Sequence, residues 1–335
     1  MDNGVLATIG HTPLVRLNRL FNDESFRVFA KLEGFNPGGS IKDRPARRII
    51  ERGIETGEIT PETTIIESSS GNMGIGLAQV CAYYGLRFIC VVDVKTTRQN
   101  IRLLETFGAE VEVILEPDPV SHEFLQARID RVRQLLSTIE NSVSPNQYAN
   151  EENSGAHHQT MYEIVSALDA GVDYLFCATS TCGTLRGCAE YIRRRNLPTC
   201  VYAVDAVGSV IFCSRKARRL IPGHGAAIRP KLFQDGLADR CIHVSDLDCI
   251  VNCRQLVRTE GILAGGSSGA VLSAIEQVKE SIPVGATCVA IFPDRGERYL
   301  DTIYSDEWVV EHFGEIAHLW EHPARCRMSM AESAC

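Results

Sequence analysis

The chain contains no run of about 18 apolar residues, which excludes a membrane-spanning helix on length alone. Its start, Met1-Asp2-Asn3-Gly4, has neither a basic stretch nor an apolar core, so no secretory signal is expected. Cationic excess is also missing: Lys and Arg number 34 against 42 Asp and Glu, a net charge of -8. The two short basic runs, Arg215 to Arg219 and Arg193 to Arg195, read as solvated helix faces, and no nucleic-acid partner is expected. Cysteine is plentiful at 13, but the number is odd and Cys-x-x-Cys is absent. Cys81, Cys90, Cys177 and Cys288 lie in apolar runs. This pattern speaks against a disulfide framework or zinc site and for reduced, buried thiols in a cytoplasmic protein. His312, His318, His322 and Cys326 bring metal-ligand types into the tail. Pro323 would end a helix there, however, and no second ligand pair has zinc spacing, so a frayed polar tail is favoured over a metal site, and the sequence leaves open whether residues 311–335 are ordered.

What is present is material for a large α/β unit. The chain has 335 residues, 44% of them hydrophobic, enough for two domains with buried cores. From Thr64 onward apolar strand-like runs alternate with helical spacing. Strands are expected at Thr64–Glu67, Phe88–Val92, Glu110–Leu115, Tyr174–Cys177, Cys200–Val204, Ile242–Val244 and Thr287–Ile291. Helices are expected at Gly74–Tyr84, Gln99–Phe107, Tyr162–Leu168, Leu185–Arg195, Ser245–Thr259 and Ala270–Ser281. Ser245 and Asp248 stand at capping-box spacing. Alternation with fully apolar strands predicts mostly parallel sheets covered by helices, with ligands bound beyond the strands' carboxyl ends. The polar, Asn-rich stretch from Pro145 to Gly155 marks a crossing between two domains.

Four segments carry the chemistry. Asn36-Pro37-Gly38-Gly39-Ser40-Ile41-Lys42-Asp43-Arg44 sets a lysine behind a Gly pair at a helix start. The glycines allow close backbone approach, and burial lets such an amine lose its proton near neutrality; a solvated Lys-Asp-Arg run is the plainer alternative. Ser68-Ser69-Ser70-Gly71-Asn72 offers hydroxyls and N–H groups at a helix N-terminus, which suits a carboxylate or serves as a cap. Ser180-Thr181-Cys182-Gly183-Thr184 can cradle a phosphate. Cys182 carries a Cβ, so it is expected at negative φ or in a differently bent loop. Gly265-Gly266-Ser267-Ser268-Gly269 is a third small-residue loop, placed before the helix from Ala270. Together they call for an amino-acid carboxylate, a phosphate and an aldehyde that condenses with an amine; pyridoxal phosphate and its substrates supply all three.

These segments resemble the fold-type II pyridoxal-phosphate enzymes of the cysteine synthase and cystathionine β-synthase group (a tryptophan synthase β-like fold). The resemblance runs from Ile9-Gly10-His11-Thr12-Pro13-Leu14 to Tyr299. It includes Lys31-Leu32-Glu33, Ser70-Gly71-Asn72-Met73-Gly74, Gly223-His224-Gly225-Ala226, Glu260-Gly261-Ile262 and Asp294-Arg295-Gly296-Glu297-Arg298-Tyr299. It implies a smaller, mobile domain over 45–149 and a larger cofactor domain over 1–44 plus 150–310, usually in a homodimer. Lys42 would be the Schiff-base lysine and α-proton base, and Asn72 the partner of the cofactor's ring oxygen. Ser180, Thr181, Cys182, Gly183 and Thr184 would form the phosphate cup. Ser267 would face the pyridine nitrogen. A neutral serine there makes a weaker electron sink than a carboxylate partner would, which suits β-elimination and replacement over transamination. Ser69, Ser70, Gly71 and Met73 would meet the substrate.

Departures from ordinary cysteine synthases point to one branch. Met73, Ser180, Cys182, Arg295 and Tyr148, the last within Asn146-Gln147-Tyr148-Ala149-Asn150, resemble the N-(2-amino-2-carboxyethyl)-L-glutamate synthases of siderophore and 2,3-diaminopropionate biosynthesis. So does Val204-Asp205-Ala206-Val207-Gly208-Ser209-Val210-Ile211-Phe212. The resemblance implies O-phospho-L-serine and L-glutamate as substrates, with Arg128, Tyr148 and Arg295 as further substrate-binding candidates. A cysteine synthase that uses sulfide is the alternative.

Overall fold

The computed structural model describes residues 4–22, 24–213 and 215–321. Its strands are β1 (Leu14–Arg16), β2 (Arg27–Leu32), β3 (Thr64–Ser68), β4 (Arg87–Asp93), β5 (Glu110–Ile114), β6 (Ser142–Val143), β7 (Tyr174–Ala178), β8 (Cys200–Ala206), β9 (Arg240–Val244) and β10 (Thr287–Phe292). Its helices are α1 (Asp43–Thr56), α2 (Asn72–Tyr84), α3 (Arg98–Thr106), α4 (Phe124–Thr138), α5 (Glu151–Gly155), α6 (His157–Ser166), α7 (Gly183–Arg194), α8 (Asp246–Glu260), α9 (Gly266–Val278), α10 (Asp306–Phe313) and α11 (His318–Glu321). The strands form two sheets, ordered β1-β2-β10-β7-β8-β9 and β5-β4-β3-β6.

Both sheets are parallel except where β1 pairs antiparallel with β2. Their strands alternate between two apolar layers. In the larger sheet Leu175 and Cys177 face one core, whereas Phe176 joins the opposite one with Ala290 and Phe292. In the smaller sheet Ile65, Phe88 and Cys90 face one side, and Ile66, Ile89 and Val91 pack with Val132 and Leu135 of α4 on the other. Burial on both faces explains why these strands read as continuous apolar runs.

Several expectations are corrected. β1 and β2 add to the expected strands; β1 forms one edge of the larger sheet, and β2 lies between it and β10. Helix α6 begins at His157, before the expected Tyr162, and α9 begins at Gly266, so Ser267, Ser268 and Gly269 belong to its first turn. Ser245 caps α8 as its spacing suggests, accepting the Asp248 N–H at 3.2 Å. Residues 311–321 are not a frayed tail: α10 continues to Phe313, and Trp320 of α11 is 3% exposed in the large-sheet core. His312 stacks on Trp308 and its Nδ1 lies 2.9 Å from the Trp308 carbonyl. His322 and Cys326 lie outside the described residues. Among the described residues no metal-holding cluster occurs and no helix is long and apolar enough to cross a membrane.

Candidate active site

The lysine segment is built on a buried ionic cluster. Arg44, the second residue of α1, donates to Glu33 at 2.6 and 2.8 Å and to Glu163 of α6 at 2.9 and 2.7 Å. Lys31 of β2 also donates to Glu163, at 2.7 Å, and to the Thr12 carbonyl at 2.6 Å. Thr12 and Asn36 donate to Glu33 in turn. Two cations thus meet two anions with their hydrogen bonds satisfied, the condition under which charges can be buried. Burial alone would raise the Glu163 carboxyl, but hydrogen bonds and charge from Arg44, with Lys31 adding, bring it down to about 2.

Above this cluster the chain turns through Gly38 and Gly39, the latter at φ +82, where a side chain would strain the backbone. Ile41 donates its N–H to the Pro293 carbonyl at 2.7 Å, and Ser40 bridges Asp294. These ties set Lys42, the residue before α1, beside the carboxyl end of β10. Burial pushes the Lys42 amine below the ordinary lysine range, against the opposing charges of Asp294 and Cys182.

Lys42 lines one cavity together with Ser180, Thr181, Cys182, Gly183 and Thr184 from the β7–α7 turn and Ser267 from the start of α9. Three segments widely separated in sequence therefore meet there. Gly183 opens α7, so the loop sits at a helix N-terminus where N–H groups and the dipole favour an anion. A Cβ on Gly183 would stand 2.2 Å from Asn153 Oδ1, which requires glycine at that position. Thr184 Oγ1 meets His157 Nε2 at 3.3 Å. Burial, with the charges of Lys42 and Arg44, pushes His157 well below its ordinary range, so it stands neutral behind the loop.

Cys182 departs from expectation. It adopts φ 64, ψ 4, the left-handed conformation that its Cβ disfavours. Its side chain is 2% exposed and packs with Ile211, Ala226 and Leu232, which offsets the strain. Cys182→Gly is therefore expected to unfold in urea within about 1 kcal/mol of wild type, relief of strain offsetting lost burial, whereas Cys182→Val loses more than about 2 kcal/mol.

The other candidates are distributed differently. Asn72, the first residue of α2, does not stand free: its Nδ2 donates to Asp294 Oδ2 at 2.7 Å, and Arg298 donates to its Oδ1. Asp294 also accepts from Tyr299, and its Oδ1 is buried without a partner. Burial holds Asp294 above the ordinary carboxyl range, opposed by Tyr299, Asn72, Arg298 and Lys42. Sequence reasoning assigned Asp294 and Arg298 no role; an acid and a base four apart in an otherwise matched motif were the available signal. Ser69 Oγ, upstream of α2, accepts the Gly74 N–H of its first turn at 2.9 Å, while Asn100 donates to the Ser70 carbonyl at 3.0 Å. Ser69, Ser70 and Gly71 lie beyond the carboxyl end of β3 and do not line the Lys42 cavity.

Met73 is 2% exposed and packs in the apolar layer of the small sheet. Arg295 is likewise not gathered into the cavity; its exposed guanidinium pairs with Glu297 at 2.8 Å. Arg128 of α4 lies 3.3 Å from Asp93 Oδ2 at the carboxyl end of β4, with Nη1 enclosed and without a hydrogen-bond partner. Tyr148 is partly buried; burial raises its hydroxyl above the ordinary tyrosine range, and Arg128 opposes this.

A lysine with a depressed pKa, a phosphate cradle at a helix N-terminus and a neutral hydroxyl in one cavity define a site for an aldehyde-bearing phosphate cofactor. The profile of the pyridoxal-phosphate dependent enzyme family matches residues 5–294, and the chain belongs to that family. It is similar in structure to O-ureido-L-serine synthase, with TM-score 0.85 and 28% identity over 94% of this chain and 97% of that one. It is also similar to the O-acetylserine-dependent cystathionine β-synthase of Helicobacter pylori, with TM-score 0.83 and 31% identity over 91% and 99% of the two chains. A cysteine synthase from Entamoeba histolytica gives TM-score 0.83 and 32% identity over 91% of each chain. The protein is thus a pyridoxal-phosphate dependent enzyme of the fold that these synthases share. The residues lining the cavity fit the cofactor, with donors for its phosphate at the start of α7 and an amine for its aldehyde at Lys42.

Proposed function

We propose that the enzyme replaces the β-substituent of O-phospho-L-serine with the amine of L-glutamate, giving N-(2-amino-2-carboxyethyl)-L-glutamate and phosphate, in siderophore or 2,3-diaminopropionate biosynthesis. The observation that carries the reaction class is the shared cavity of Lys42, Ser180–Thr184 and Ser267. When bound, the cofactor draws electrons from the substrate's Cα. Lys42 Nζ would hold the cofactor through its aldehyde, and as a free amine it would take the Cα proton. Thr181, Gly183 and Thr184 anchor the cofactor's phosphate. Ser267 would offer the ring nitrogen a neutral hydroxyl, which would not force a proton onto it, and Asn72, now tied to Asp294, would be the partner for the ring oxygen. The N–H groups and hydroxyls of Ser69, Ser70 and Gly71 receive the substrate carboxylate. The Cβ–O bond breaks with phosphate as leaving group, the glutamate ammonium sheds one proton and its nitrogen forms the Cβ–N bond, and Lys42 returns a proton to Cα while the new secondary amine keeps its remaining hydrogens.

Support for a phosphate leaving group comes from Arg128, whose enclosed Nη1 is an unused donor close to Tyr148. In this reading segment 45–149 moves as a unit to bring the small-sheet residues onto the cavity, and the enzyme acts as a cytoplasmic homodimer. The similarity to a cysteine synthase supports a second reading, with sulfide as acceptor. The test is phosphate release from O-phosphoserine with glutamate against sulfide, in wild type and Arg128→Ala. Glutamate-dependent release is expected, and Arg128→Ala should raise KM for O-phosphoserine at least about tenfold while sparing O-acetylserine. Turnover with sulfide alone overturns the glutamate assignment.

A further inference from the structure

Glu67, the penultimate residue of β3, follows two isoleucines and is 4% exposed. Its Oε1 accepts the Ser68 N–H at 2.8 Å, and its Oε2 accepts the Gln147 N–H at 3.3 Å. Gln147 Nε2 returns to the Ser68 carbonyl at 3.4 Å. One side chain thus ties together two loops about 80 residues apart in sequence. The ties continue: the Gln147 carbonyl accepts from Asn153 Nδ2 at 2.6 Å, and the same nitrogen reaches Thr181 Oγ1 at 3.3 Å. A line of hydrogen bonds therefore runs from the 68–72 loop to the loop opening α7. A buried carboxylate is an expensive way to end a strand. An apolar residue would leave the Ser68 and Gln147 N–H groups without this acceptor, at a desolvation cost of its own.

We propose that Glu67 is a positioning residue: its carboxylate, by holding Ser68 and Gln147 together, sets the geometry of the Ser69–Gly71 loop and so the affinity for the amino-acid substrate. This rests on the reading of that loop as the substrate-carboxylate site. Both oxygens accept from backbone N–H groups, so the ionised form is the one that makes both ties; a proton on either oxygen faces a donor and breaks one. Burial raises the Glu67 carboxyl to about 7, against the Ser68, Gln147 and Asn146 N–H groups and Arg128. The groups facing it are Arg128 from α4, Cys90 from β4 and Tyr148 from the connection. Burial raises the Cys90 thiol to about 12, so it stays neutral across this range. A folded-state value above the ordinary carboxyl range means that Glu67 lowers stability as pH rises from about 4.5 to about 7, while the ties form over the upper part of that window.

The experiment is absorbance titration of the cofactor-loaded enzyme with O-acetyl-L-serine and with O-phospho-L-serine, from pH about 6 to about 8.5, in wild type and Glu67→Gln. In wild type the half-saturating concentration should rise as pH falls through about 7. In Glu67→Gln it should be raised about tenfold at pH 8 and lack that pH step, with cofactor content and thermal midpoint close to wild type. A variant that matches wild type in half-saturation and pH step overturns the proposal; so does a variant that loses only thermal stability. Where the variant does not fold, a wild-type titration without a step near pH 7 overturns it. A wild type that responds to neither amino acid overturns the functional reading, and the proposal falls with it.

Discussion

Lys42→Ala is expected to lower turnover at least about 10³-fold, since in the proposed mechanism one amine serves as both anchor and base. After borohydride reduction, mass spectrometry of wild-type digests should find the cofactor's mass on the peptide that carries Lys42, and nowhere in the variant. The substitution should not unfold the protein. Burial already disfavours the charged amine, so removing it relieves a desolvation cost. The sign is checkable: a lysine depressed in the folded state costs stability at pH values below its ordinary range, so the stability of cofactor-free wild type over Lys42→Ala should worsen as pH falls. Retained turnover, or a cofactor adduct on another lysine, would sink the assignment.

The second large effect concerns stability. Arg44→Met leaves buried Glu33 without a cationic partner and Glu163 with Lys31 alone, a loss expected at about 3–5 kcal/mol and a thermal midpoint lower by roughly 5–10 °C. Arg44→Lys should recover little, because one ammonium cannot reproduce two forked contacts. In wild type the Glu163 contribution is present above the ordinary carboxyl range and lost as pH falls towards about 2. Denaturant melts at pH about 7 and about 3 should therefore differ by less in Arg44→Met than in wild type. Activity should fall as well, since Arg44 lies two residues beyond Lys42 on the same helix start. A variant as stable as wild type would show the cluster to be energetically idle.

Much of the scaffold was legible because its local chemistry is repetitive. Apolar runs such as Phe88–Val92 and Thr287–Ile291 are buried on both faces, and they could be read as parallel strands without knowing their neighbours. β2 escaped because Arg27 and Lys31 interrupt it; the fold answers Lys31 with Glu163, more than a hundred residues away. Met73 shows the reverse: it directly follows the loop motif, yet its place in the first turn of α2 packs it into the core. Cys182 shows the limit of a steric rule, since packing against Ile211, Ala226 and Leu232 offsets what the backbone resists.

By itself the sequence determined the parallel α/β class, the lysine and the small-residue loops at helix starts, because those follow from spacing, turn residues and caps within a few positions of one another. Only the tertiary structure decided that Lys42, Thr181 and Ser267 share a cavity while Arg295 does not, that Asn72 leans on Asp294, and that Glu67 joins two distant loops. The physical reason is that a buried charge or amide must find its partner wherever the sheet order brings one, and that order is a property of the whole chain.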